Sequence, residues 1–160
     1  MAGRKALFVD RDGTINVDCP YCHKVEDLRI YADSVDILKQ YSAEGFLIVM
    51  VTNQSGIGRG YFGRSEMESF NDEIISFMKK NGVEISAVYF CPHLPEQGCN
   101  CRKPSTGLFE QAARELDIDL TRSVVLGDRD DIDGEAARRL GIRYRIVKRS
   151  GNESLVSRTK

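Results

Sequence analysis

Short hydrophobic runs alternate along the chain with longer segments in which hydrophobic residues recur every three or four positions. A short run of this kind is typical of a buried strand, and the longer spacing is typical of an amphipathic helix. The predicted strands cover residues 6–10, 46–53, 85–91, 123–128 and 144–148. The predicted helices cover residues 34–45, 65–82, 105–116 and 134–141. From Arg149 onward the chain is polar and is predicted to fray.

The helix predicted over residues 65–82 has the clearest end signals. Ser65 and Glu68 stand at the spacing of a capping box, so the helix is predicted to begin there. Gly82 is typical of a helix end, as Gly45 is for the helix before it. The hydrophobic residues that recur at helical spacing between these ends are Met67, Phe70, Ile74 and Phe77.

Strands that alternate with helices are typical of βαβ units, so the chain is predicted to have an α/β fold with a mostly parallel central sheet. No internal repeat or linker divides the sequence, and residues 1–160 are predicted to form a single domain. Ligands of such sheets bind beyond the carboxyl ends of the strands. The candidates for a functional site are therefore the residues that follow the strands, namely Asp10, Asp12, Thr52, Asn53, Cys91 and Asp128.

Composition and charge exclude several classes of partner. The 160 residues carry a formal net charge of −1, which gives no general attraction to DNA or to anionic lipid. No hydrophobic run approaches the ~18 residues of a membrane span, and the first residues lack the hydrophobic segment of a signal peptide. We therefore expect a cytoplasmic protein with no nucleic-acid or membrane partner. The oligomeric state stays open, and a monomer agrees with the sequence.

Carboxylates and cations occur together at the predicted strand ends. Asp10 and Asp12 lie two positions apart, so an extended backbone directs both to the same side. Such a pair alone is also typical of an Asp-rich turn. Asp128 adds a third carboxylate, and three carboxylates repel unless a cation lies among them; oxygen ligands favour Mg²⁺. With Thr52 as a hydroxyl donor and Lys103 as an ammonium group, the set indicates a site for a phosphoryl group.

In this order, "DRDGT", Thr52, Lys103 and "GDRDDID" resemble the four motifs of the haloacid dehalogenase (HAD) superfamily, over residues 5–147. The resemblance implies a Rossmann-like fold and phosphoryl transfer through an aspartyl-phosphate intermediate. It implies that Asp10 is the nucleophile and that Asp12 is the general acid, and then the general base.

The same resemblance implies the other roles in the site. Magnesium would be held by Asp10, by the backbone carbonyl of Asp12 and by Asp128, and the phosphate would be bound by Thr52 and Lys103. The fourth motif offers two supporting acids, Asp131 and Asp133. Counting back from the helix end at Gly141 favours Asp133, although either is also typical of a solvated or helix-capping carboxylate.

Three cysteines and a histidine lie within eleven residues, at Cys91, His93, Cys99 and Cys101. Three thiolates and an imidazole suit a tetrahedral Zn²⁺ with no open position, which indicates a structural metal. The alternative is a set of unrelated buried cysteines with a surface histidine. Because clustered cysteines in a reducing compartment more often bind metal, we favour zinc, in a loop that presents Arg102 and Lys103 to the phosphate.

This loop, which ends in "CRKP", resembles a subgroup of the superfamily that contains histidinol-phosphate and heptose-bisphosphate phosphatases. The segments "INVD" and "VTNQSGIGRGYF" resemble the heptose-bisphosphate branch, which we favour, whereas the short zinc loop resembles the histidinol-phosphate branch. The favoured branch implies that Asn53 and Arg102 bind substrate. The loops after Asp12 and Cys91 are too short to hold a cap domain, so an open site is predicted.

Two further segments resemble motifs of other functions. "CPYCH" has the spacing of a haem attachment site, but without a signal peptide we favour two free thiols at Cys19 and Cys22 over haem or a second metal. "GIGRG" lacks the G-x-G-x-x-G pattern, so a flexible loop is predicted there; for Arg59 we favour exposure to solvent over contact with substrate.

Other functional classes explain less of the pattern. A nucleic-acid 3′-phosphatase would be expected to carry a basic surplus, which this chain lacks. A phospho-accepting signalling domain has no use for an acid and base such as Asp12. A zinc-binding interaction module would not need carboxylates at the strand ends. We therefore predict a phosphatase that acts on a small phosphate ester and uses Mg²⁺ and Zn²⁺.

Overall fold

A parallel sheet forms the centre of the computed structural model, which describes residues 3–156. The strands are β1 (Ala6–Val9), β2 (Ile30–Tyr31), β3 (Leu47–Asn53), β4 (Ile85–Cys91), β5 (Val124–Gly127), β6 (Arg143–Ile146) and β7 (Leu155–Val156). Five of them form the parallel sheet in the order β4-β3-β1-β5-β6, and β2 pairs with β7 in an antiparallel ribbon. The α-helices are α1 (Ala32–Ala43), α2 (Ser55–Gly58), α3 (Arg64–Lys80), α4 (Gly107–Leu116) and α5 (Glu135–Leu140). Short 3-10 turns cover Val25–Asp27, Pro95–Gln97 and Leu120–Arg122, and a π-helical turn covers Asp130–Gly134.

The predicted α/β fold is confirmed, and each predicted strand and helix is present with its ends shifted by no more than two residues. Helices cover both faces of the sheet. Leu7 and Val9 of β1 pack in one hydrophobic cluster with residues of α1 and α3. Ala6 and Phe8 pack in a second cluster with residues of α4 and α5. A strand buried on both faces needs hydrophobic residues at every position, which is why these strands stand out as continuous runs in the sequence.

The start of α3 differs from the prediction. The helix begins at Arg64, and Gly63 is its N-cap. The backbone N–H of Gly63 donates to the Glu66 carboxylate at 3.0 Å, so the expected capping box of Ser65 and Glu68 is wrong. Glu66 satisfies a backbone donor that the first helical turn leaves free, and this interaction determines where the helix begins. The four hydrophobic residues predicted for its inner face are all buried.

The segment after β6 is ordered, so the prediction that it frays is wrong for residues 149–156. Residues 157–160 of that prediction lie outside the described residues. Arg149 donates to the backbone carbonyls of Gly13 and Thr14 at 3.0 and 2.7 Å. It also pairs with Asp33 at 2.9 Å and lies over the Tyr31 ring at 3.5 Å. These long-range contacts fasten the segment to the loop that follows β1. Within residues 3–156, no helix is long and apolar enough to cross a bilayer.

Replacing Arg149 with alanine is expected to lower the free energy of unfolding by about 2 kcal/mol, because hydrogen bonds from a charged donor are lost. For a chain of this size, that change lowers Tm by about 4–8 °C. Arg143→Ala is the matched control, because Arg143 is exposed on β6. Thermal unfolding followed by circular dichroism measures both variants. Equal Tm values for the two would show that Arg149 contributes nothing to the anchoring of this segment.

Candidate active site

A cavity of about 410 Å³ lies at the carboxyl edge of the sheet. Its walls come from the ends of β1, β3 and β5 and from the loop after β4, because parallel strands direct their carboxyl ends to one edge. The predicted site residues that line it are Asp10, Asp12, Thr52, Asn53, Arg102, Lys103, Asp128 and Asp133. The structure therefore brings together side chains that are more than 100 positions apart in the sequence.

Lys103 is the buried cation of this cavity, with a side chain only 2% exposed. Its ammonium group donates to Asp10 at 2.9 Å, to Asp133 at 2.8 Å and to the carbonyl of Val51 at 2.7 Å. Burial acts to lower the pKa of Lys103, but Asp10 and Asp133 outweigh it and hold that pKa above its ordinary value. Asp131 is exposed and pairs with Arg129 instead, so of the two candidate acids only Asp133 contacts Lys103.

Carboxylate oxygens of Asp10, Asp128 and Asp133 lie within 4.8 Å of one another. Burial raises the pKa of Asp10 well above its ordinary value; Lys103 opposes this effect, and Asp133 and Asp128 add to it. Thr14, which the sequence did not single out, donates its hydroxyl to Asp128 at 3.2 Å. Oxygen donors crowded in this way fit a small hard cation, whose charge would favour the ionised form of Asp10.

Two glycines allow the carboxylates to approach this closely. Gly13 has a φ of +86°, and a Cβ built on it would lie 2.2 Å from a carboxylate oxygen of Asp128. A Cβ on Gly127 would lie 2.3 Å from a carboxylate oxygen of Asp133. Any larger residue at either position would displace a carboxylate of the site.

The side chain of Asp12 does not join the carboxylate cluster. Its oxygens accept hydrogen bonds from Arg11 at 3.1 and 3.0 Å, from Asn16 at 3.0 Å and from Gln54 at 3.2 Å. Gln54 also donates to the Thr52 hydroxyl at 2.8 Å. Sequence reasoning missed Arg11, Asn16 and Gln54, although each is adjacent to, or within a few positions of, a residue that it did select.

Asn53 and Arg102 line the cavity in different ways. The Asn53 side chain bonds reciprocally to the backbone of Lys103, accepting from its N–H at 2.9 Å and donating to its carbonyl at 3.1 Å. This pair of hydrogen bonds holds the Lys103 backbone against the end of β3, a role that the sequence did not indicate. Arg102 has a buried guanidinium nitrogen, Nη1, with no hydrogen-bond partner among residues 3–156. The residue lines the cavity, where a guanidinium group is suited to an anionic ligand.

The four predicted zinc ligands come together beside this edge of the sheet. One donor atom from each of Cys91, His93, Cys99 and Cys101 lies within 4.8 Å of the others. His93 Nδ1 is 3.3 Å from the sulfur of Cys91 and 3.2 Å from that of Cys101, and all three cysteines are free. Burial acts to raise the pKa of Cys99, but hydrogen bonds, led by the backbone N–H of Cys101, lower it to about 6. That favours the thiolate at Cys99, the form that binds metal, whereas burial raises the pKa of Cys91 and of Cys101.

The loop after β1 departs from the sequence expectation. Cys19 and Cys22 form a disulfide with Cα atoms 5.2 Å apart, so the prediction of two free thiols is wrong. Tyr21, between them, has a φ of 59°, which turns the chain so that the two cysteines meet. Pro20 and Tyr21 line the cavity. Arg59 is exposed as expected and lies 5.7 Å from the Tyr21 ring.

The glycine-rich segment after β3 also differs from its prediction. Residues 55–58 form α2, so the first part of the segment is helical instead of a flexible loop. Gly56 packs against Phe62, and a Cβ on Gly56 would lie 2.2 Å from that ring. The glycine therefore serves local packing at the rim of the cavity, where Gly56 is also one of the lining residues.

Comparisons with known proteins agree with this geometry. The family model of HAD-hydrolase-like proteins matches residues 100–156. A protein of Thermoplasma acidophilum named "Probable D-glycero-D-manno-heptose-1,7-bisphosphate 7-phosphatase" is 56% identical over 143 residues, which are 89% of each chain. The D-glycero-beta-D-manno-heptose-1,7-bisphosphate 7-phosphatase of Haemophilus ducreyi is 40% identical, covering 93% of this chain and 85% of its own.

A solved structure has the same fold. The D,D-heptose 1,7-bisphosphate phosphatase of B. bronchiseptica, complexed with magnesium and phosphate, has a TM-score of 0.81 and 29% identity over 89% of this chain and 79% of that chain. HAD phosphatases need a metal ion, in agreement with the carboxylate cluster. On these similarities, the chain belongs to the HAD-like family, the superfamily that its four motifs predict, and it is a phosphoric monoester hydrolase.

Proposed function

We propose that this phosphatase removes the 7-phosphate of D-glycero-D-manno-heptose 1,7-bisphosphate through an aspartyl-phosphate on Asp10. The observation that carries the proposal is the cavity at the sheet edge, where the Asp10 carboxylate faces the Lys103 ammonium at 2.9 Å. A carboxylate at the end of a central strand, beside a buried cation, is suited to attack a phosphorus atom that the same cation helps to bind. The names of relatives that are 40–56% identical support the heptose as substrate.

The reaction has two steps. In the first, an oxygen of Asp10 bonds to phosphorus while the bond to the sugar oxygen breaks, and Asp12 gives its proton to that leaving oxygen. In the second, Asp12 takes a proton from water, which attacks the aspartyl-phosphate and releases inorganic phosphate and the free Asp10 carboxylate. Asp12 suits both roles because its hydrogen-bonded carboxylate stands beside the cluster instead of within it.

Several residues would bind the phosphoryl group during these steps. Lys103 and the Thr52 hydroxyl would bind its oxygens, and Asp133 would keep Lys103 in place through their contact at 2.8 Å. Magnesium would be held by Asp10, Asp128 and the backbone carbonyl of Asp12, and when bound it supplies positive charge that offsets the phosphate and keeps Asp10 ionised. Arg102, which lines the cavity, would bind an anionic part of the substrate.

We further propose that Cys91, His93, Cys99 and Cys101 hold a structural zinc ion. Four nitrogen and sulfur donors leave no position for substrate or water on the metal. No residue from 92 to 102 is buried, so this loop has no hydrophobic core of its own. A metal would supply the missing cross-link and fix the segment that carries Arg102 and Lys103 to the cavity.

The site is open, which supports a small substrate. Between Gly13 and β2 the only regular element is the 3-10 turn Val25–Asp27, and between β4 and α4 it is Pro95–Gln97. Neither segment forms a cap, and we propose that the whole chain acts as one catalytic domain. The short metal loop favours histidinol phosphate as the alternative substrate. The net charge of −1 gives no support to a nucleic-acid substrate.

The proposal is tested by measuring kcat/KM with Mg²⁺ on heptose 1,7-bisphosphate, histidinol phosphate, fructose 1,6-bisphosphate and a 3′-phosphorylated oligonucleotide. We expect the heptose bisphosphate to exceed each of the others by at least about tenfold, since the site must match a particular leaving sugar. If histidinol phosphate exceeds the heptose by the same margin, the substrate assignment is wrong and the phosphatase assignment stands. Phosphate release from none of them would contradict both.

A further inference from the structure

Arg11 stands between the two motif aspartates and is completely buried, which makes it the largest fully buried side chain among residues 3–156. A guanidinium group stays charged at any physiological pH, and a buried charge is costly unless it is paired and hydrogen-bonded. The positions of its partners therefore indicate what this cation does beside the catalytic centre.

One edge of the Arg11 guanidinium group binds the carboxylate of Asp12. Nε donates to Oδ1 at 3.1 Å and Nη2 donates to Oδ2 at 3.0 Å, so both carboxylate oxygens are held by one planar group. A two-point contact of this kind defines the plane of the carboxylate as well as its position. The Asp12 side chain is 22% exposed, and Asp12 is one of the residues that line the cavity.

The other side of Arg11 is fastened to α3. Nη1 donates to the side-chain carbonyl of Asn71 at 3.0 Å, and the guanidinium lies 4.5 Å from the Phe70 ring. Asn71 is only 3% exposed and lies on the otherwise hydrophobic inner face of the helix. Nη2 also donates to the Cys22 carbonyl at 2.9 Å and to Gln54 at 3.2 Å. The contacts run without a break from α3 through Arg11 to Asp12.

We propose that Arg11, held in place by Asn71, is a positioning residue that orients the Asp12 carboxylate for proton transfer. Without Arg11, only single hydrogen bonds from Asn16 and Gln54 would restrain the two side-chain torsions of Asp12, and the proton would be presented to the leaving oxygen in a smaller fraction of the conformers. Lysine would keep the charge but not the two-point contact. The inference rests on the acid and base roles proposed for Asp12.

The test uses two phosphate esters that differ in their need for an acid. Heptose 1,7-bisphosphate has a sugar leaving group that must be protonated, whereas p-nitrophenyl phosphate releases a stable phenolate without help. The proteins are wild type, Arg11→Lys, Arg11→Met, Asn71→Ala and Asp12→Asn. Asn81→Ala is the matched control, because Asn81 caps the same helix through the Phe77 carbonyl and does not touch Arg11. If Arg11→Met does not fold, Arg11→Lys and Asn71→Ala still allow the losses on the two esters to be compared.

We expect Arg11→Lys and Arg11→Met to lower kcat/KM for the heptose ester by about a hundredfold, and Asn71→Ala by about tenfold. The kcat/KM for the aryl ester should change little in all three, because it reports only the steps up to phenolate release. For these three variants, kcat for the aryl ester should fall, because Asp12 is no longer oriented as the base for hydrolysis of the aspartyl-phosphate. Rapid mixing should then show a burst of one phenolate per site. Asp12→Asn should show the same selectivity to a larger degree.

Each other outcome contradicts one of the two proposals. Equal losses on both esters without a burst would show that Arg11 only supports the fold, and so would a loss in Asn81→Ala that matches Asn71→Ala. If Asp12→Asn is selective but the Arg11 variants are not, the positioning role is wrong and the mechanism stands. If Asp12→Asn itself shows no selectivity between the esters, the proposed mechanism is wrong.

Discussion

Replacing Asp10 with asparagine is expected to abolish phosphate release, with a loss of at least about 10⁴-fold in kcat, because the attacking atom is removed. The amide is nearly the same size as the carboxylate, and Lys103 keeps its contacts with Asp133 and the Val51 carbonyl. The variant should therefore fold. It should also form no acid-stable protein phosphate when mixed with substrate and quenched, whereas Asp12→Asn should accumulate one.

Asp131→Asn is the matched control for this experiment. Asp131 lies in the fourth motif but is exposed and pairs with Arg129 at 2.8 Å, without touching Lys103. Its variant should turn over substrate near the wild-type rate. Circular dichroism establishes that both proteins are folded before the rates are compared. Normal turnover by Asp10→Asn would remove the aspartyl-phosphate mechanism, since Asp10 is the carboxylate that directly follows β1 and contacts Lys103.

Replacing Cys101 with alanine is expected to remove the bound zinc and to lower kcat/KM by about a hundredfold, although zinc would touch no substrate. Lys103 is two residues beyond Cys101, and no residue between Cys91 and Lys103 is buried. The metal would thus be the main restraint on residues 92–102, which lead to Lys103, and a displacement of the ammonium group by about 1 Å costs on this order in rate. Elemental analysis should find about one zinc per chain in the wild type and little in the variant.

Cys19→Ala is the control for metal content, because Cys19 pairs with Cys22 outside the four-donor cluster. It should retain the zinc of the wild type. Two results would contradict the proposal: a wild-type protein that holds no zinc after purification without chelator, or a Cys101→Ala protein with full activity. Either would show that the loop keeps its shape without a metal, so that the hydrogen bonds of Lys103 within the protein are enough to position it.

Much of the fold could be predicted from local pattern. Strands β1, β3 and β5 are buried on both faces, and such strands must be hydrophobic throughout, so they are visible in the sequence without any knowledge of their neighbours. The presence of one cavity that gathers Asp10, Thr52 and Asp128 followed from the same pattern, because parallel strands end at a common edge. The four candidate zinc donors were visible because their spacing is short.

Polar contacts across the fold could not be predicted in this way. Counting back from Gly141 favoured Asp133 over Asp131, but the contact with Lys103 itself depends on which carboxylate the π-helical turn directs at it. The burial of Arg11 depends on Asn71, sixty positions away on a helix whose pattern is otherwise hydrophobic. Sequence spacing contains no information about such partners, since each was brought into contact by packing that the hydrophobic residues drive.

The amino-acid sequence by itself determined the order of the strands and helices, the family and the chemical character of the site, because each depends on residues that are close in sequence or on the common edge of a parallel sheet. The tertiary structure alone decided that the segment after Arg149 returns to the loop of the first motif, that Cys19 and Cys22 meet, and that Arg11 holds Asp12. Arg149 meets its partners, more than 100 positions away, only when the hydrophobic core has formed. The partners in the other two contacts are close in sequence, and their side chains meet because of how the loop after β1 is folded. A polar chain segment is ordered or frayed according to those partners, and its own composition does not reveal them.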